Sequence, residues 1–349
     1  MKTIYMNMTN GVDEALICRA GEIIRRGGLV AFPTETVYGL GGDALQSDSS
    51  RKIYAAKGRP SDNPLIVHIA DTAHLDAITQ KIPASALTLA EHFWPGPLTM
   101  IFQKSSLVPK ETTGGLDTVS VRMPSHPVAL ALIQSSGGYI AAPSANLSGR
   151  PSPTLASHVM QDLGGRVDAV IDAGPVNIGL ESTIVDLTQE MPVILRPGYI
   201  NQSMLEDALR MPVGIDPGIG GIGADERPRA PGMKYRHYAP KADLCIVEGN
   251  RPDVVRFIRE QVSREEADGN RTGIITCTED LSGYTEGIAR PLGSLSDEQA
   301  IAASLFAVLR EFDDLNVTKI YSEAFDTPQL GWAIMNRLMK AAGGRVIRV

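Results

Sequence analysis

Lys57-Gly58-Arg59-Pro60, followed at once by Ser61-Asp62-Asn63, puts a compact cation and a planar cationic fork almost side by side. Both side chains suit a polyphosphate, and Gly58 lets a backbone come close. The same pair also suits a helix C-terminus, where the dipole favours cations. Ser144-Ala145-Asn146, with Ser148, Gly149, Arg150 and Ser152 after it, offers short hydroxyls and an amide. Such a loop can cup an anion or a nucleotide, or form an ordinary capped turn. Arg122 ends an alternating stretch. A buried guanidinium there needs an anionic partner, either a ligand carboxylate or a structural Asp. His68 stands inside the apolar run LIVHI, as a satisfied core histidine or as a ligand group. Ser182-Thr183 and Arg196-Pro197-Gly198 sit at strand edges. Together these residues suggest one polar pocket in an otherwise aliphatic domain.

The elements around them follow from periodicity. Apolar residues at helical spacing predict a helix from Asp13 to Arg26, ended by Gly27-Gly28. LVAF (29–32) reads as a strand and PTETVYGLGG (33–42) as a loop. Residues 49–57 read as a helix capped by Ser47 or Asp48, and 58–64 as a second loop. Strands are expected at 65–69, 98–102, 118–123, 139–142, 168–172, 182–187 and 192–195. Helices are expected at 71–78, 84–92, 127–135, 154–163 and 202–210. Strands and helices mix without strict alternation, so residues 1–212 read as a mixed-sheet α/β domain. Its polar loops follow apolar strands, where open sheets place ligands.

Residues 213–242 are rich in Gly and Pro and have no period. They are basic after Glu226, through Arg227, Arg229, Lys234, Arg236 and Lys241. A segment this long is a functional lid or disordered. Residues 243–349 alternate strand and helix more cleanly and read as a smaller α/β domain with a mostly parallel sheet.

The charge balance is 33 Lys+Arg against 40 Asp+Glu, a net −7. A general nucleic-acid coat is thereby excluded, although a local basic pocket is not. Three scattered cysteines form no CxxC pair and fit a reducing cytoplasm. No run of about 18 apolar residues is present to span a membrane. Gly218-Ile219-Gly220-Gly221-Ile222-Gly223 matches a dinucleotide fingerprint, but Pro217 precedes it and no helix pattern follows. P-loop, serine-elbow and paired-histidine motifs are missing from the sequence.

Seven ordered motifs resemble the YrdC-type domain of threonylcarbamoyl-AMP synthases. They are PTETVYGL (33–40), KGRPSDNPLIVHI (57–69), WPGPLT (94–99), SVRMP (120–124), APSANLSGRPSPT (142–154), ESTIVDL (181–187) and ILRPGYI (194–200). KYRHYAP (234–240) and the tail resemble that family's long form, with a linker and a C-terminal Rossmann-like domain. The resemblance covers essentially the whole chain. It implies an enzyme, a nucleotidyltransferase, that makes threonylcarbamoyl-AMP and pyrophosphate from L-threonine, bicarbonate and ATP. This serves threonylcarbamoyladenosine formation at position 37 of ANN-decoding tRNAs.

By the same resemblance the catalytic signature falls on Lys57, Arg59, Ser144 and Asn146. Threonine would be held by Thr36, His68, Arg122, Ala142 (through its backbone) and Ser182. ATP would be held by Arg59, Asn63, Thr118, Ser144, Ser152, Arg196 and Tyr235. No carboxylate cluster marks a metal site, so Mg²⁺ would ride on the ATP phosphates. The 213–242 linker would act as a lid over the nucleotide. Threonylcarbamoyl-transfer proteins acting on tRNA would be downstream partners, with a weak RNA contact also open. An RNA-binding module and a carbamoyl-transferring maturation enzyme are the competing readings. Bulk acidity counts against the first, and the shortage of cysteines against the second.

Overall fold

The computed structural model describes residues 2–220, 228–233 and 237–349. These residues separate into two compact units. The first comprises 2–148, 152–177, 181–220 and 228–233, the second 149–151, 178–180 and 237–349.

The strands of the first unit are β1 (Ile4–Asn7), β2 (Val30–Phe32), β3 (Gly39–Asp43), β4 (Ile66–His68), β5 (Leu98–Gln103), β6 (Thr118–Arg122), β7 (Ile140–Ala141), β8 (Ala169–Asp172), β9 (Thr183–Asp186), β10 (Val193–Arg196) and β11 (Gly214–Ile215). They form one sheet in the order β1-β8-β2-β3-β7-β4-β6-β5-β9-β10-β11. Pairing is mixed: β4 runs parallel to β6, β6 antiparallel to β5, and β5 parallel to β9.

Period-two alternation sorts side chains between the two faces. Val67, Met100, Phe102, Val119, Val121 and Val185 enter one core, with Ile53, Leu89, Val159 and Leu205 from four helices. Val30, Phe32, Ile140 and Ile171 face the other way, beneath helices Glu14–Arg25 and Pro127–Ser135. Fully burying each such side chain contributes about 1.5–3 kcal/mol.

The second unit has five parallel strands in the order β14-β13-β15-β12-β16. They are β12 (Asp243–Glu248), β13 (Thr272–Thr276), β14 (Ile288–Pro291), β15 (Lys319–Glu323) and β16 (Val346–Arg348). Helix Arg251–Ala267 starts behind Asn250, whose side chain accepts from the Asp253 amide, with Pro252 in the first turn. Among the described residues, no helix is long and apolar enough to cross a membrane.

Several local expectations need correction. The loop expected at 33–42 contains β3, an antiparallel partner of β2 built largely of glycine. Helix Ser47–Lys57 has Gln46 at its cap position, with no side-chain hydrogen bond, so neither Ser47 nor Asp48 caps it. Gly58 has φ 62° and caps that helix, and a Cβ there would meet nothing within 4 Å. That left-handed backbone is itself a reason for glycine at 58. Gly214 and Ile215, expected in the linker, extend the sheet by pairing with Val193 and Ile194. Short strands β1 and β14 were not anticipated.

Candidate active site

A polar row crosses the sheet on the Phe32–Ile140 face. Strand register places His68 beside Arg122, Arg122 beside Thr99, Thr99 beside Ile184, and Ile184 beside Arg196. Neighbouring strands lie about 4.8 Å apart, so in-register side chains on one face interact directly. The row exists because β6 alternates Thr118, Ser120, Arg122 against the core residues Val119 and Val121.

Arg122 is buried, with 5% of its side chain exposed, and three groups fix it. Its Nη2 donates to Glu35 Oε1 at 2.6 Å, Nη1 to Thr36 Oγ1 at 2.9 Å, and Nε to the Gly96 carbonyl at 3.3 Å. The anionic partner expected for Arg122 is thus Glu35 within the chain. Two of the five guanidinium N–H groups keep no acceptor among the described residues. Farther along, Thr99 Oγ1 and Ser182 Oγ lie 2.7 Å apart. Arg196 donates to Ser182 Oγ (3.1 Å) and to its carbonyl (3.0 Å). Thr36, His68, Arg122, Ser182 and Arg196 therefore come together. Ala142 flanks β4 through its amide, which donates to the Ile66 carbonyl at 2.9 Å.

Ser144 follows two residues after Ala142 and opens the second polar corner. Lys57, 2% exposed, aims its ammonium into this loop. It donates to the Ser144 carbonyl at 2.5 Å, to the Asn146 carbonyl and, at 3.5 Å, to Asn146 Oδ1. Ser144 Oγ donates to Asn146 Oδ1 at 2.5 Å. Arg59 holds its own loop through the carbonyls of Asn63 (3.3 Å) and Pro64 (3.0 Å). Asn63 Oδ1 is buried without a partner among the described residues. Such an atom costs about 1–3 kcal/mol unless something donates to it. Ser152 Oγ is bonded to Glu181 Oε1 at 2.5 Å. Thr118 stands apart from Arg122, at the opposite end of β6. Tyr235 lies outside the described residues.

Residues 228–233 pack onto the site face of the sheet. Ala230 and Met233 are buried with Ile66, Ile101, Ile184 and Leu195. Arg229 pairs with Asp186 at 3.2 Å and with Asp216. Arg196 Nη1 reaches the Pro231 carbonyl at 3.5 Å.

Sequence reasoning did not single out Glu35, Thr99 or Glu181. Each stood inside a quoted motif, but its contact partner is distant in sequence. Glu35 meets Arg122 across 87 positions.

A family model described as telomere recombination, covering Sua5, YciO and YrdC, matches residues 22–198. A second, the threonylcarbamoyl-AMP synthase C-terminal domain, matches 200–343. The threonylcarbamoyl-AMP synthase of Bacillus subtilis is 48% identical, covering 99% of each chain. The chain belongs to the threonylcarbamoyl-AMP synthase family. That of Pyrococcus abyssi is 47% identical over 99% of this chain and 100% of the relative. The crystal structure of P. abyssi Sua5 complexed with L-threonine superposes with a TM-score of 0.94 at 46% identity, covering 99% of this chain and 100% of that one. E. coli YciO matches 57% of this chain and 96% of its own, with a TM-score of 0.51 at 27% identity. The synthase is an adenylate-forming enzyme of nucleotidyltransferase type, and ATP is its substrate.

In the synthase's second unit Cys277, Asp280 and Glu323 lie close enough together to share an ion. Glu323 already accepts from Thr276 and Tyr284 (each 2.7 Å) and from the Cys277 amide (2.9 Å). Arg251 pairs with Asp280 at 2.8 Å. Burial pushes the Cys277 thiol up to about 12 and raises the Glu323 carboxyl.

His68 gives the synthase a pH-dependent stability. Burial, and then the positive charge of Arg122, lower its pKa to about 3, from 6.5 in an open chain. The folded state therefore binds fewer protons than the unfolded one between these values. The stability is complete above about pH 6.5 and is lost as pH falls toward 3. Between pH 7 and 5 this group removes about 2 kcal/mol. Denaturant unfolding at the two pH values should show that loss in the wild type, and a loss smaller by about that amount in His68→Gln. Equal losses in both proteins would contradict the assignment.

Proposed function

We propose that the synthase converts L-threonine, bicarbonate and ATP into threonylcarbamoyl-AMP, pyrophosphate and water, for threonylcarbamoyladenosine at position 37 of ANN-decoding tRNAs. The observation that carries this reading is the presence of two polar corners in one sheet unit, one at the end of β6 and one just after β7. Arg122 keeps two N–H groups without an acceptor among the described residues, and Lys57 grips Ser144 and Asn146. A carboxylate-binding fork and a cationic nucleotide corner are what joining an amino acid to an adenylate requires.

Arg122 takes the threonine carboxylate as a bidentate pair. Thr36, His68, Ser182 and the Ala142 backbone shape the rest of the threonine pocket. His68 is neutral at working pH and adds no charge. The threonine amine and bicarbonate condense to a carbamate with loss of water. A carbamate oxygen then bonds to the α-phosphorus as the bond to the pyrophosphate oxygen breaks. A weak nucleophile of this kind depends on positioning. Arg59, Asn63, Thr118, Ser144, Ser152, Arg196 and Tyr235 hold the ATP, and the unpartnered Asn63 Oδ1 supports its place there. Lys57 and Arg59 stabilise the charge that moves onto pyrophosphate, with Ser144 and Asn146 completing the corner. These donors are cations, amides and hydroxyls, so Mg²⁺ fits as a passenger on the phosphates, not as a resident ion.

Within 213–242, the residues beyond β11 act as a lid that excludes water from a hydrolysable product. The seating of Ala230 and Met233 on the site face supports this role. Product passes to transfer proteins that act on tRNA, with at most a weak RNA contact by this chain. Three unpaired cysteines fit work in a reducing cytoplasm.

The test is pyrophosphate release from ATP by the purified protein. Release should require both L-threonine and bicarbonate. Release at the same rate without threonine would overturn the substrate assignment.

A further inference from the structure

Arg122 carries its own buried counter-ion. Glu35 is 7% exposed, and its Oε2 also accepts the Ser125 amide at 3.2 Å. His68, beside Arg122 in the sheet, is held neutral, and burial lowers the pKa of nearby His126 as well. Glu35 thus neutralises the Arg122 guanidinium as a buried ion pair, while Arg196, farther along the row, is bonded to Ser182. Bringing a simple carboxylate onto this already neutralised ion pair places two carboxylates on one buried guanidinium, which is costly. A zwitterion adds no net charge.

We propose that Glu35 is a specificity-determining residue that makes the Arg122 pocket select α-amino acids over amine-free carboxylates. This rests on the reading of Arg122 as the threonine carboxylate site. Glu35 sets the orientation of the guanidinium so that its two unused N–H groups meet the ligand carboxylate. Its negative charge offsets the ligand's ammonium, which must be admitted before it can lose a proton and react. An acid with the same carboxylate and hydroxyl but no amine would leave Glu35 and the ligand carboxylate sharing one arginine.

The probe pair is L-threonine and (R)-3-hydroxybutyrate, compared by calorimetry on the full chain. Wild type should prefer threonine by roughly 30-fold or more, in keeping with one unpaired buried charge. Glu35→Gln keeps the shape and removes the charge, and should reduce the preference to about 3-fold or less, with ATP affinity unchanged. Glu35→Asp retains the charge and should keep most of the preference. An unchanged preference in Glu35→Gln overturns the proposal, as does loss of both acids together with ATP binding intact. Should Glu35→Gln also lose ATP binding, Glu35→Asp decides: preference kept supports the role, preference lost refutes it. Wild type that binds neither acid overturns the Arg122 pocket itself, and this proposal with it.

Discussion

Arg122→Lys is expected to weaken L-threonine binding about 100-fold while changing ATP affinity less than about 2-fold. Lysine keeps the charge but loses the planar fork. The wild-type guanidinium spends three donors on Glu35, Thr36 and Gly96 and keeps two without an acceptor among the described residues. An ammonium has three donors in all and cannot satisfy both sets. Each charged hydrogen bond lost costs about 1.5–3 kcal/mol, so losing one or two accounts for the size of the effect. Calorimetric titration with each substrate measures it. Threonine affinity within about 3-fold of wild type would show that the carboxylate binds elsewhere.

Lys57→Ala is expected to lower the rate of pyrophosphate release roughly 1000-fold, the scale seen when a preorganised charge is removed from a transition state. The alanine also leaves the Ser144 and Asn146 carbonyls without their ammonium donor, so the loop that carries the corner loosens. The two effects separate experimentally. Loop loosening lowers stability by about 1–3 kcal/mol and shows in denaturant unfolding. Loss of charge lowers single-turnover rate at saturating ATP. A folded Lys57→Ala protein with wild-type single-turnover rate would remove Lys57 from the chemistry.

Much of this arrangement could be read from residue patterns, and the gaps have physical causes. TVSVR and LTMIF alternate or run apolar in the usual way, so β6 and β5 were evident. β3 is GLGGD, and glycine carries neither β-propensity nor a hydrophobic face, so its pairing with β2 and β7 had no local signal. β11 is two residues long and depends on Val193 and Ile194 for its existence. At the site, Lys57, Ser144 and Asn146 were legible as residue types suited to phosphate. The ammonium's choice of the loop's carbonyls was not, because it spans 87 and 89 positions. Glu35 was hidden for the same reason. A carboxylate between two threonines becomes a counter-ion only when the fold brings β6 beside it.

The measurement that goes most directly to the central claim is isotope tracing with ¹³C-bicarbonate. The synthase is incubated with L-threonine and ATP, and the nucleotide products are resolved by mass spectrometry. The account predicts an adenylate containing threonine and one ¹³C carbon, formed in step with pyrophosphate and missing when either threonine or bicarbonate is omitted. An adenylate of threonine lacking the label, or AMP and pyrophosphate released with no threonine attached, would contradict it.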